Sequence, residues 1–405
     1  MTVNHHPTPT DPITPPGAIV FHVFAHSDVG RTREHNEDAF VVADLSRGDP
    51  LSFDHLRTER AGNRGTLFMV ADGMGGAAAG EIASEMAVEV VLQQLRRRWR
   101  DAKTVEPVAF VGTLKAATEV ANATIHHYAG DHPELRGMGT TATIAGLLGD
   151  TLYLAQVGDS RAYLVRDGVA IQITKDQSLM QKLVEAGELT QEEAEQSERR
   201  NIILQALGPE PNIKVDLTAQ QLRRGDVLVL CSDGLSGQVR TDDIARVVTD
   251  EQDLMAACKR LIDMANEAGG PDNITVIAAR FEGDGLLPPG ATDPVGHRVF
   301  PLQADSGQTP AIELRLSGGT LTTGSIPMQR RPTLEIPKTP EPIVLTSSIT
   351  DDSIAKRRSR GTLIALLLLL LFLSFATWWV YRSAERIVEQ RRPVEATHPA
   401  TQRLP

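Results

Sequence analysis

Apolar residues in the first two thirds of the chain form short runs that have the length of β-strands. Runs of this length, bounded by Gly, Asp and other turn residues, are typical of strands. The clearest runs cover residues 66–71, 141–148, 152–157, 161–165, 226–231 and 273–281. Neighbouring runs such as 152–157 and 161–165 are separated by a short turn only. The pattern therefore favours hairpins and antiparallel sheets over a doubly wound parallel sheet.

Between these runs, apolar residues recur at helical spacing. Residues 82–90 and 254–265 place apolar side chains three or four positions apart, which predicts one buried face of a helix in each case. Gly269, Gly270 and Pro271 follow the second segment and are a typical stop signal. The pattern as a whole predicts an α+β fold in which helices cover antiparallel sheets.

A different pattern, one continuous apolar segment, lies near the C-terminus. Residues 361–381 are 21 consecutive residues without a charge, and a helix of this length spans roughly 30 Å, the thickness of bilayer hydrocarbon. Trp378, Trp379 and Tyr381 lie at one end, where an aromatic belt is expected. The segment therefore predicts a single transmembrane helix, a reading preferred over a buried core helix.

The orientation of that helix does not follow from charge, because basic residues flank it on both sides. The N-terminus is polar and rich in proline and shows no signal-peptide pattern. We therefore expect residues 1–360 to lie in the cytoplasm at the inner (cell) membrane. Residues 382–405 would form a short extracytoplasmic tail.

Proline divides the chain into folded and unfolded parts. Of 24 prolines, five lie in residues 1–16 and ten in residues 288–342, whereas only six lie in residues 18–283. Strands and helices limit proline and linkers do not. The sequence predicts a disordered N-terminal arm over 1–17, a folded domain over 18–283 and a flexible linker rich in Pro, Thr and Ser over 284–360.

Composition excludes several classes of protein. The chain has 405 residues, a formal net charge of −11 and two cysteines, Cys231 and Cys258. The acidic balance argues against a nucleic-acid coat, which needs a basic face. Two cysteines exclude a disulfide-stapled scaffold and a cysteine-based zinc ribbon.

Acidic residues mark the ends of several predicted strands. Three aspartates lie within two residues of the C-terminal end of an apolar run, a fourth comes just before one, and two further acids lie in a polar turn ahead of the run AFVVAD. In that order they are Asp72, Asp159, Asp233, Asp272, Glu37 and Asp38. In an antiparallel sheet the start of one strand lies beside the end of its neighbour. These carboxylates are therefore expected to gather at one edge of the sheets.

Clustered carboxylates repel one another, and protonation or a cation must relieve that repulsion. Oxygen ligands favour hard ions such as Mg²⁺ or Mn²⁺ over zinc. Two such ions about 3.5–4 Å apart can share a carboxylate and activate a bridging water for attack on phosphorus. A single Asp-Gly pair is more often a turn or a helix cap. Its recurrence at several strand ends indicates a metal site.

Seven segments together resemble the metal-dependent (2C-type) protein serine/threonine phosphatase family in its bacterial form. They are SDVGRTREHNEDAF (27–40), ADGMGGAAAGEIAS (71–84), GMGTTAT (137–143), QVGDSRAYLVRDG (156–168), ALG (206–208), LCSDGLS (230–236) and GGPDNITVI (269–277). The resemblance covers residues 18–283 in the family's order. It implies two stacked antiparallel β-sheets flanked by α-helices, an α-β-β-α sandwich.

The resemblance also assigns roles to individual residues. Asp72 would bridge two Mg²⁺ or Mn²⁺ ions and the Gly73 carbonyl would bind one of them. Asp233 and Asp272 would complete the shell of the first ion. The other roles it implies are second-ion ligation through waters by Glu37 and Asp38, a weaker third ion at Asp159 with Asp233, and a grip on the substrate phosphate by Arg33. A guanidinium fork suits that last role.

Two further features follow from the resemblance. Residues 176–207 correspond to the family's mobile flap, and Asn201 is the nearest match for a third-ion carbonyl ligand. Met74 stands where animal relatives have a histidine proposed to protonate the leaving group. Methionine cannot donate a proton, so any general acid must be a bound water or another residue. His35 is the nearest histidine to consider.

The leading hypothesis is an enzyme that hydrolyses phosphoserine and phosphothreonine on proteins, with a hydroxide bridging two ions as the nucleophile. Its expected partners are phosphorylated proteins, among them membrane-attached serine/threonine kinases, and the membrane itself. Two other classes stay open: a phosphoprotein-binding regulator without chemistry, and another two-metal enzyme such as a nucleotidyl cyclase or nuclease. No P-loop and no basic nucleic-acid stripe support the last class. A closer alternative is a phosphatase dedicated to one regulatory protein.

Overall fold

A computed structural model describes residues 17–99, 102, 105–197, 199–290, 293–302, 313–316 and 319–322. The chain divides into two units, Met1–Gln308 and Thr309–Pro405. In the first unit the strands are β1 Val20–Asp28, β2 Asp38–Asp44, β3 Arg57–Arg60, β4 Thr66–Met74, β5 Gly139–Thr140, β6 Ala142–Leu148, β7 Thr151–Val157, β8 Arg161–Arg166, β9 Val169–Gln172, β10 Asp216–Gln221, β11 Val227–Cys231 and β12 Ile274–Glu282.

The described helices of the first unit lie between β4 and β12 along the chain. They are α1 Ala77–Arg98, α2 Pro107–Asp131, α3 Leu179–Glu185, α4 Gln191–Glu195, α5 Asp233–Ser236, α6 Thr241–Asp250 and α7 Leu254–Glu267, with a 3₁₀ turn at Pro133–Leu135. Pro107 occupies the first position of α2, where its missing N–H costs no hydrogen bond. The side chain of Asp253 caps α7 by accepting from the backbone N–H of Met255.

The strands of the first unit pair into two antiparallel sheets. One has the order β3-β1-β12-β11-β8-β9 and the other β10-β7-β6-β4-β2, with β5 paired to β4. The short turns between β6 and β7 and between β8 and β9 make these pairs hairpins. The prediction of antiparallel sheets is confirmed.

Three buried apolar clusters hold the layers together. The first lies between the sheets and includes Phe21, Phe68 and Phe281. The second packs α1 and α2 against the sheet that contains β4, and the third packs α6 and α7 against the sheet that contains β12. The layer order is therefore helix, sheet, sheet, helix, as the resemblance implied.

The packed unit extends past residue 283, the predicted boundary, and continues to Leu302. Residues 293–302, which we call the C-terminal strap, run along β10, the edge strand of its sheet. The backbone N–H of Phe300 donates to Leu217 (2.8 Å), and that of Ala219 donates to Arg298 (3.0 Å). The ring of Phe300 packs edge-on against Tyr153, with ring centroids 5.6 Å apart. Proline-rich composition hid this segment, which protects an otherwise open sheet edge.

The second unit contains one described hairpin inside the predicted linker. Its strands, β13 Glu313–Leu316 and β14 Gly319–Thr322, pair antiparallel, with Glu313 opposite Thr322. Across the ranges that the structure covers, no helix has the length and apolar character needed to cross a bilayer. The arm up to residue 16, the predicted membrane helix 361–381 and the tail 382–405 lie outside the described residues.

Candidate functional site

The predicted acids come together at one end of the two sheets, which we call the acidic rim. Asp38, the first residue of β2, pairs in register with Asp72 of β4. Asp159 follows β7, and Asp233 is the first residue of α5, directly after β11 and its cap Ser232. Asp272 comes just before β12.

Backbone contacts fix the strand that carries Asp72. The Asp72 carbonyl accepts the backbone N–H of Thr141 (2.8 Å) and the hydroxyl of Thr140 (2.9 Å), and its own N–H donates to the Thr141 hydroxyl (3.0 Å). Strand β4 continues through Gly73 to Met74, so Asp72 lies inside the strand rather than after it. The strand ends at Met74 because Gly75 and Gly76 adopt the positive φ angles that favour glycine.

Glu37 lies under the rim in a tightly packed corner. Its side chain is buried, its carbonyl accepts the N–H of Gly73 (3.0 Å), and its N–H donates to the side chain of Asn273 (2.8 Å). A Cβ on Gly80 would collide with the Glu37 carboxylate, and a Cβ on Gly73 would collide with the Gly80 carbonyl. Glycine is required at both positions because the backbone approaches so closely.

Burial and mutual repulsion make these carboxylates hard to ionise. Burial first, then the charges of Asp38 and Asp233, raises the pKa of Asp72 well above its usual value. Burial and the charge of Asp233 raise the pKa of Asp159 to about 8. Burial raises the pKa of Asp38 to about 7 although two hydroxyl groups bonded to it act in the opposite direction.

Asp233 and Glu37 follow the same rule. Burial, followed by the charge of Asp272, raises the pKa of Asp233 to about 6, against a hydrogen bond with Asp72 that lowers it. Burial also raises the pKa of Glu37, with Arg33 opposing. A cluster of acids whose pKa values are raised by burial and by one another is typical of a functional site.

The donor set fits two hard divalent cations. Asp38 Oδ1 and Asp159 Oδ1 are buried and have no hydrogen-bond partner within the described part of the chain. A cation would satisfy such atoms and cancel the repulsion. Among the residues that the structure covers, no three acidic, His or Cys side chains are already arranged to hold a metal ion by themselves. Waters and a backbone carbonyl such as that of Gly73 would have to complete each shell, as Mg²⁺ and Mn²⁺ allow.

Arg33 lies beside the acids at the mouth of the site. Its guanidinium donates to Asp272 Oδ2 (2.9 Å), and the Arg33 side chain is 47% exposed. Burial lowers the pKa of Arg33, but the bond to Asp272 and nearby acids outweigh this and raise it. The arginine predicted to grip phosphate is thus an ion-pair partner of a rim aspartate, and it remains open to solvent.

A cavity of about 480 Å³ opens beside the rim and is closed on one side by the predicted flap. Rim residues Arg33, Asp159, Asp233 and Asp272 line one wall. The flap, 176–207, carries α3 and α4 and contributes further lining residues, Asn201 among them. Its two ends are tied together, since Leu204 N–H donates to the Gln177 carbonyl (2.8 Å) and Leu179 N–H donates to the Ile202 carbonyl (2.9 Å).

Sequence reasoning missed several polar residues that support the rim. The Asn273 amide donates to the carbonyls of Val29 (3.0 Å) and His35 (2.9 Å) and so holds the turn that carries Arg33. Ser232 and Thr275 donate to Asp38. The available signal was position, because Asn273 and Ser232 directly adjoin the predicted ligands Asp272 and Asp233.

Comparison with known proteins agrees with this geometry. The family model described as protein phosphatase 2C matches residues 45–275. A serine/threonine phosphatase of Listeria monocytogenes is 35% identical over 257 residues, which cover 63% of this chain and 94% of the relative.

Two solved structures are also similar. The Mycobacterium tuberculosis serine/threonine phosphatase PstP/Ppp is 35% identical and covers 65% of this chain and 99% of its own, with a TM-score of 0.54. A catalytic domain of PstP in complex with two manganese ions is 34% identical over 65% of this chain and 99% of its own, with a TM-score of 0.53.

Proposed function

Because the chain belongs to the protein phosphatase 2C family, we propose that the acidic rim and Arg33 are the active site of a metal-dependent phosphatase. The enzyme class itself is established by the family match and the relatives: the chain is a metal-dependent serine/threonine protein phosphatase that uses Mn²⁺ or Mg²⁺. The observation that carries the assignment to the rim is the convergence of Asp38, Asp72, Asp159, Asp233 and Asp272, with unsatisfied buried oxygens, beside an exposed arginine.

In this proposal Asp72 would serve both ions, Asp233 and Asp272 would complete the shell of the first, and Glu37 and Asp38 would hold the second through waters. Asp159 with Asp233 would support a weaker third. When bound, the two ions activate water for attack on phosphorus and neutralise the charge of the phosphate. The rim residues contribute by fixing the ion positions, and their strands and short loops leave little freedom for rearrangement.

Arg33 binds and orients the phosphate of the substrate. Its present partner, Asp272, is a rim carboxylate that a cation would engage, so the guanidinium can exchange one anionic partner for another. Met74 has no proton to give to the departing serine or threonine oxygen. The Met74 side chain packs against Gly139, so closely that a Cβ at position 139 would collide with it.

We extend the proposal to substrates and location. The substrates are phosphoserine and phosphothreonine proteins, including membrane-attached kinases. Residues 361–381 anchor the enzyme as a single transmembrane helix with the catalytic domain on the cytoplasmic side of the cell membrane. The support for the anchor is the uncharged run of 21 residues with aromatic residues at one end.

The catalytic part is tested by phosphate release from a phosphothreonine peptide. The full-length protein is expected to release phosphate with Mn²⁺ and to stop in EDTA. Asp233→Asn should abolish the metal-dependent rate, whereas the control Asp263→Asn, at an exposed position on α7, should not. Equal rates in EDTA and Mn²⁺ would refute the proposal.

The location is tested separately by fractionation of cells that express the full chain or a chain lacking 361–381. The full chain should sediment with membranes and resist extraction by salt, and the shortened chain should remain in the supernatant. Protease added to intact spheroplasts should leave the catalytic domain uncut. Its digestion would reverse the proposed orientation.

A further inference from the structure

Asp38 is held by hydroxyl groups that reach it from the opposite sheet. Ser232 Oγ, after β11, and Thr275 Oγ1, on β12, each lie 2.7 Å from Asp38 Oδ2. The other oxygen, Oδ1, is buried and has no hydrogen-bond partner among the described residues. The two oxygens of one carboxylate are therefore in different environments, one fully engaged and one left open.

The direction of every hydrogen bond behind Thr275 can be deduced. The Asn36 amide nitrogen can only donate, and it lies 2.8 Å from Ser27 Oγ. Ser27 has a single hydroxyl hydrogen, and its oxygen lies 2.7 Å from Thr275 Oγ1. Because the carboxylate of Asp38 only accepts, the one hydrogen of Thr275 goes to Asp38, and the hydrogen of Ser27 must go to Thr275.

The orientation of the Asn36 amide at the start of this chain of donors is fixed by a second contact. Its carbonyl oxygen accepts the backbone N–H of Asp38 at 3.2 Å, so its nitrogen faces Ser27. The chain runs one way, from Asn36 through Ser27 and Thr275 to Asp38. Successive bonds that point the same way strengthen one another, and those that end on a charged acceptor are the strongest.

Ser232 adds a second donor to Asp38. Its oxygen accepts the backbone N–H of Thr275 at 3.0 Å. Its hydrogen can go to Asp38 at 2.7 Å or to the Asn273 carbonyl at 3.4 Å, and the shorter, charge-assisted bond to Asp38 is favoured.

We propose that Thr275 and Ser232 are positioning residues that occupy Asp38 Oδ2 and thereby present Oδ1 to the second metal ion or to its water. The proposal rests on the assignment of the rim as the metal site. Partners that orient a metal-ligating group commonly change metal affinity by 10- to 100-fold when they are removed. The ordinary alternative is that these hydroxyls only satisfy one another in a packed interface, in which case their loss would affect folding and not metal binding.

The first test measures Mn²⁺ binding to the full-length protein by calorimetry. Thr275→Val keeps the shape of the side chain and removes the donor, and it should weaken binding of the second Mn²⁺ ion, the one assigned to Asp38, about tenfold. Thr275→Ser restores the donor and should recover most of that loss. Thr118→Val, a buried threonine on α2 whose hydroxyl bonds within its own helix, is the matched control and should bind Mn²⁺ like wild type. Wild-type affinity in Thr275→Val would overturn the proposal.

A double-mutant cycle with Asp38→Ala separates positioning from general damage. If Thr275 acts through Asp38, then Thr275→Val should change Mn²⁺ affinity little in the Asp38→Ala background. Additive losses would contradict the proposal. Thermal unfolding in EDTA checks that each variant folds, and Ser232→Ala, with the same expected loss, replaces Thr275→Val in the cycle if that variant does not fold.

Ser27→Ala tests the direction of the chain. Thr275 can still donate to Asp38 when Ser27 is lost, so the loss of Mn²⁺ affinity should be smaller than in Thr275→Val. An equal or larger loss would mean that the deduced direction is wrong. If wild-type protein binds no Mn²⁺ at all, the assignment of the rim fails, and this outcome is distinct from failure of the positioning role.

Discussion

Strand β11 has an aspartate at each end, fully buried before the strand and partly buried after it, and the two aspartates have neighbours of opposite charge. Asp226, just before the strand, is fully buried and accepts two hydrogen bonds from Arg166, at 2.8 and 2.6 Å. Asp233, just after the strand, adjoins the carboxylates of Asp72 and Asp272. Asp226 has a cationic partner within the protein, whereas Asp233 lies beside further carboxylates.

The comparison shows which buried acids are structural. Burial raises the pKa of Asp226 as it does that of Asp233, so burial alone does not separate the two ends. The difference lies in the charged neighbour: Arg166 lowers the pKa of Asp226, whereas Asp272 raises the pKa of Asp233. An acid paired by the protein completes the fold, and an acid surrounded by acids requires a cation from solution.

The largest effect is expected at the rim. Asp72→Asn should lower Mn²⁺-dependent phosphate release by about a thousandfold, because it removes the carboxylate that two ions would share. In EDTA the same variant should unfold at a higher temperature than wild type, because the free-energy cost of burying an acid among other acids is gone. Activity assays with a phosphothreonine peptide and thermal unfolding in EDTA measure both. Lower stability in EDTA would show that Asp72 belongs with Asp226 as a structural acid.

The opposite end should respond in the opposite way. Asp226→Ala strands the buried guanidinium of Arg166 and should lower the free energy of unfolding by about 3–5 kcal/mol, measured by urea titration. Mn²⁺ affinity should stay at the wild-type value. The double variant Arg166→Met with Asp226→Leu removes both charges and should recover much of the loss. A fall in Mn²⁺ affinity without a stability change would contradict this prediction.

The pH dependence sharpens the comparison further. The folded pKa values of Asp233, Asp38 and Asp159, about 6, about 7 and about 8, exceed the unfolded value of about 4. The native protein therefore binds more protons than the unfolded chain between these pKa values. The stability that these protons provide is fully present below about pH 4 and is lost as pH rises through the folded pKa values.

We accordingly expect the melting temperature in EDTA to fall by several degrees between pH 6 and pH 8. Saturating Mn²⁺ should remove most of this fall, because the ion replaces the protons, and should stabilise more at pH 8 than at pH 6. Differential scanning calorimetry at both pH values, with Mn²⁺ and with EDTA, gives the four melting temperatures that this comparison needs. If the melting temperature in EDTA rises with pH, the pKa values of the rim acids are not raised in the folded protein.

The smallest effect is expected at Phe300 and Val299, in the part of the C-terminal strap that runs along β10. Phe300→Ala should lower the free energy of unfolding by about 1–2 kcal/mol through lost packing on Tyr153. Val299→Ala, at a side chain that is 72% exposed, should stay within about 0.5 kcal/mol. Both variants should release phosphate at the wild-type rate. Equal stability of the two would show that the strap is held by its backbone alone.

The sequence predicted the antiparallel sheets, their helical cover and the meeting of the acids, because apolar periodicity and strand ends are local signals. It missed the role of β1, in which Phe21, Val23 and Ala25 face the core between the sheets while the polar His22 and His26 lie on the other face, so that no continuous apolar run marks the strand. It also missed the strap, whose prolines are typical of a linker. Ser232 had a positional signal, its place next to Asp233, but Ser27 and Thr275 could not be identified because their function depends on contacts between two sheets, which no spacing along the chain reveals.

β11 is only five residues long, and both ends depend on its length. Inserting one residue would turn its alternating side chains to opposite faces, so that Asp226 and Asp233 could not both keep their surroundings. Changes in the flap or in the strap leave this distance unaltered. One strand length therefore sets the surroundings of both the ion pair at Asp226 and the proposed metal site at Asp233.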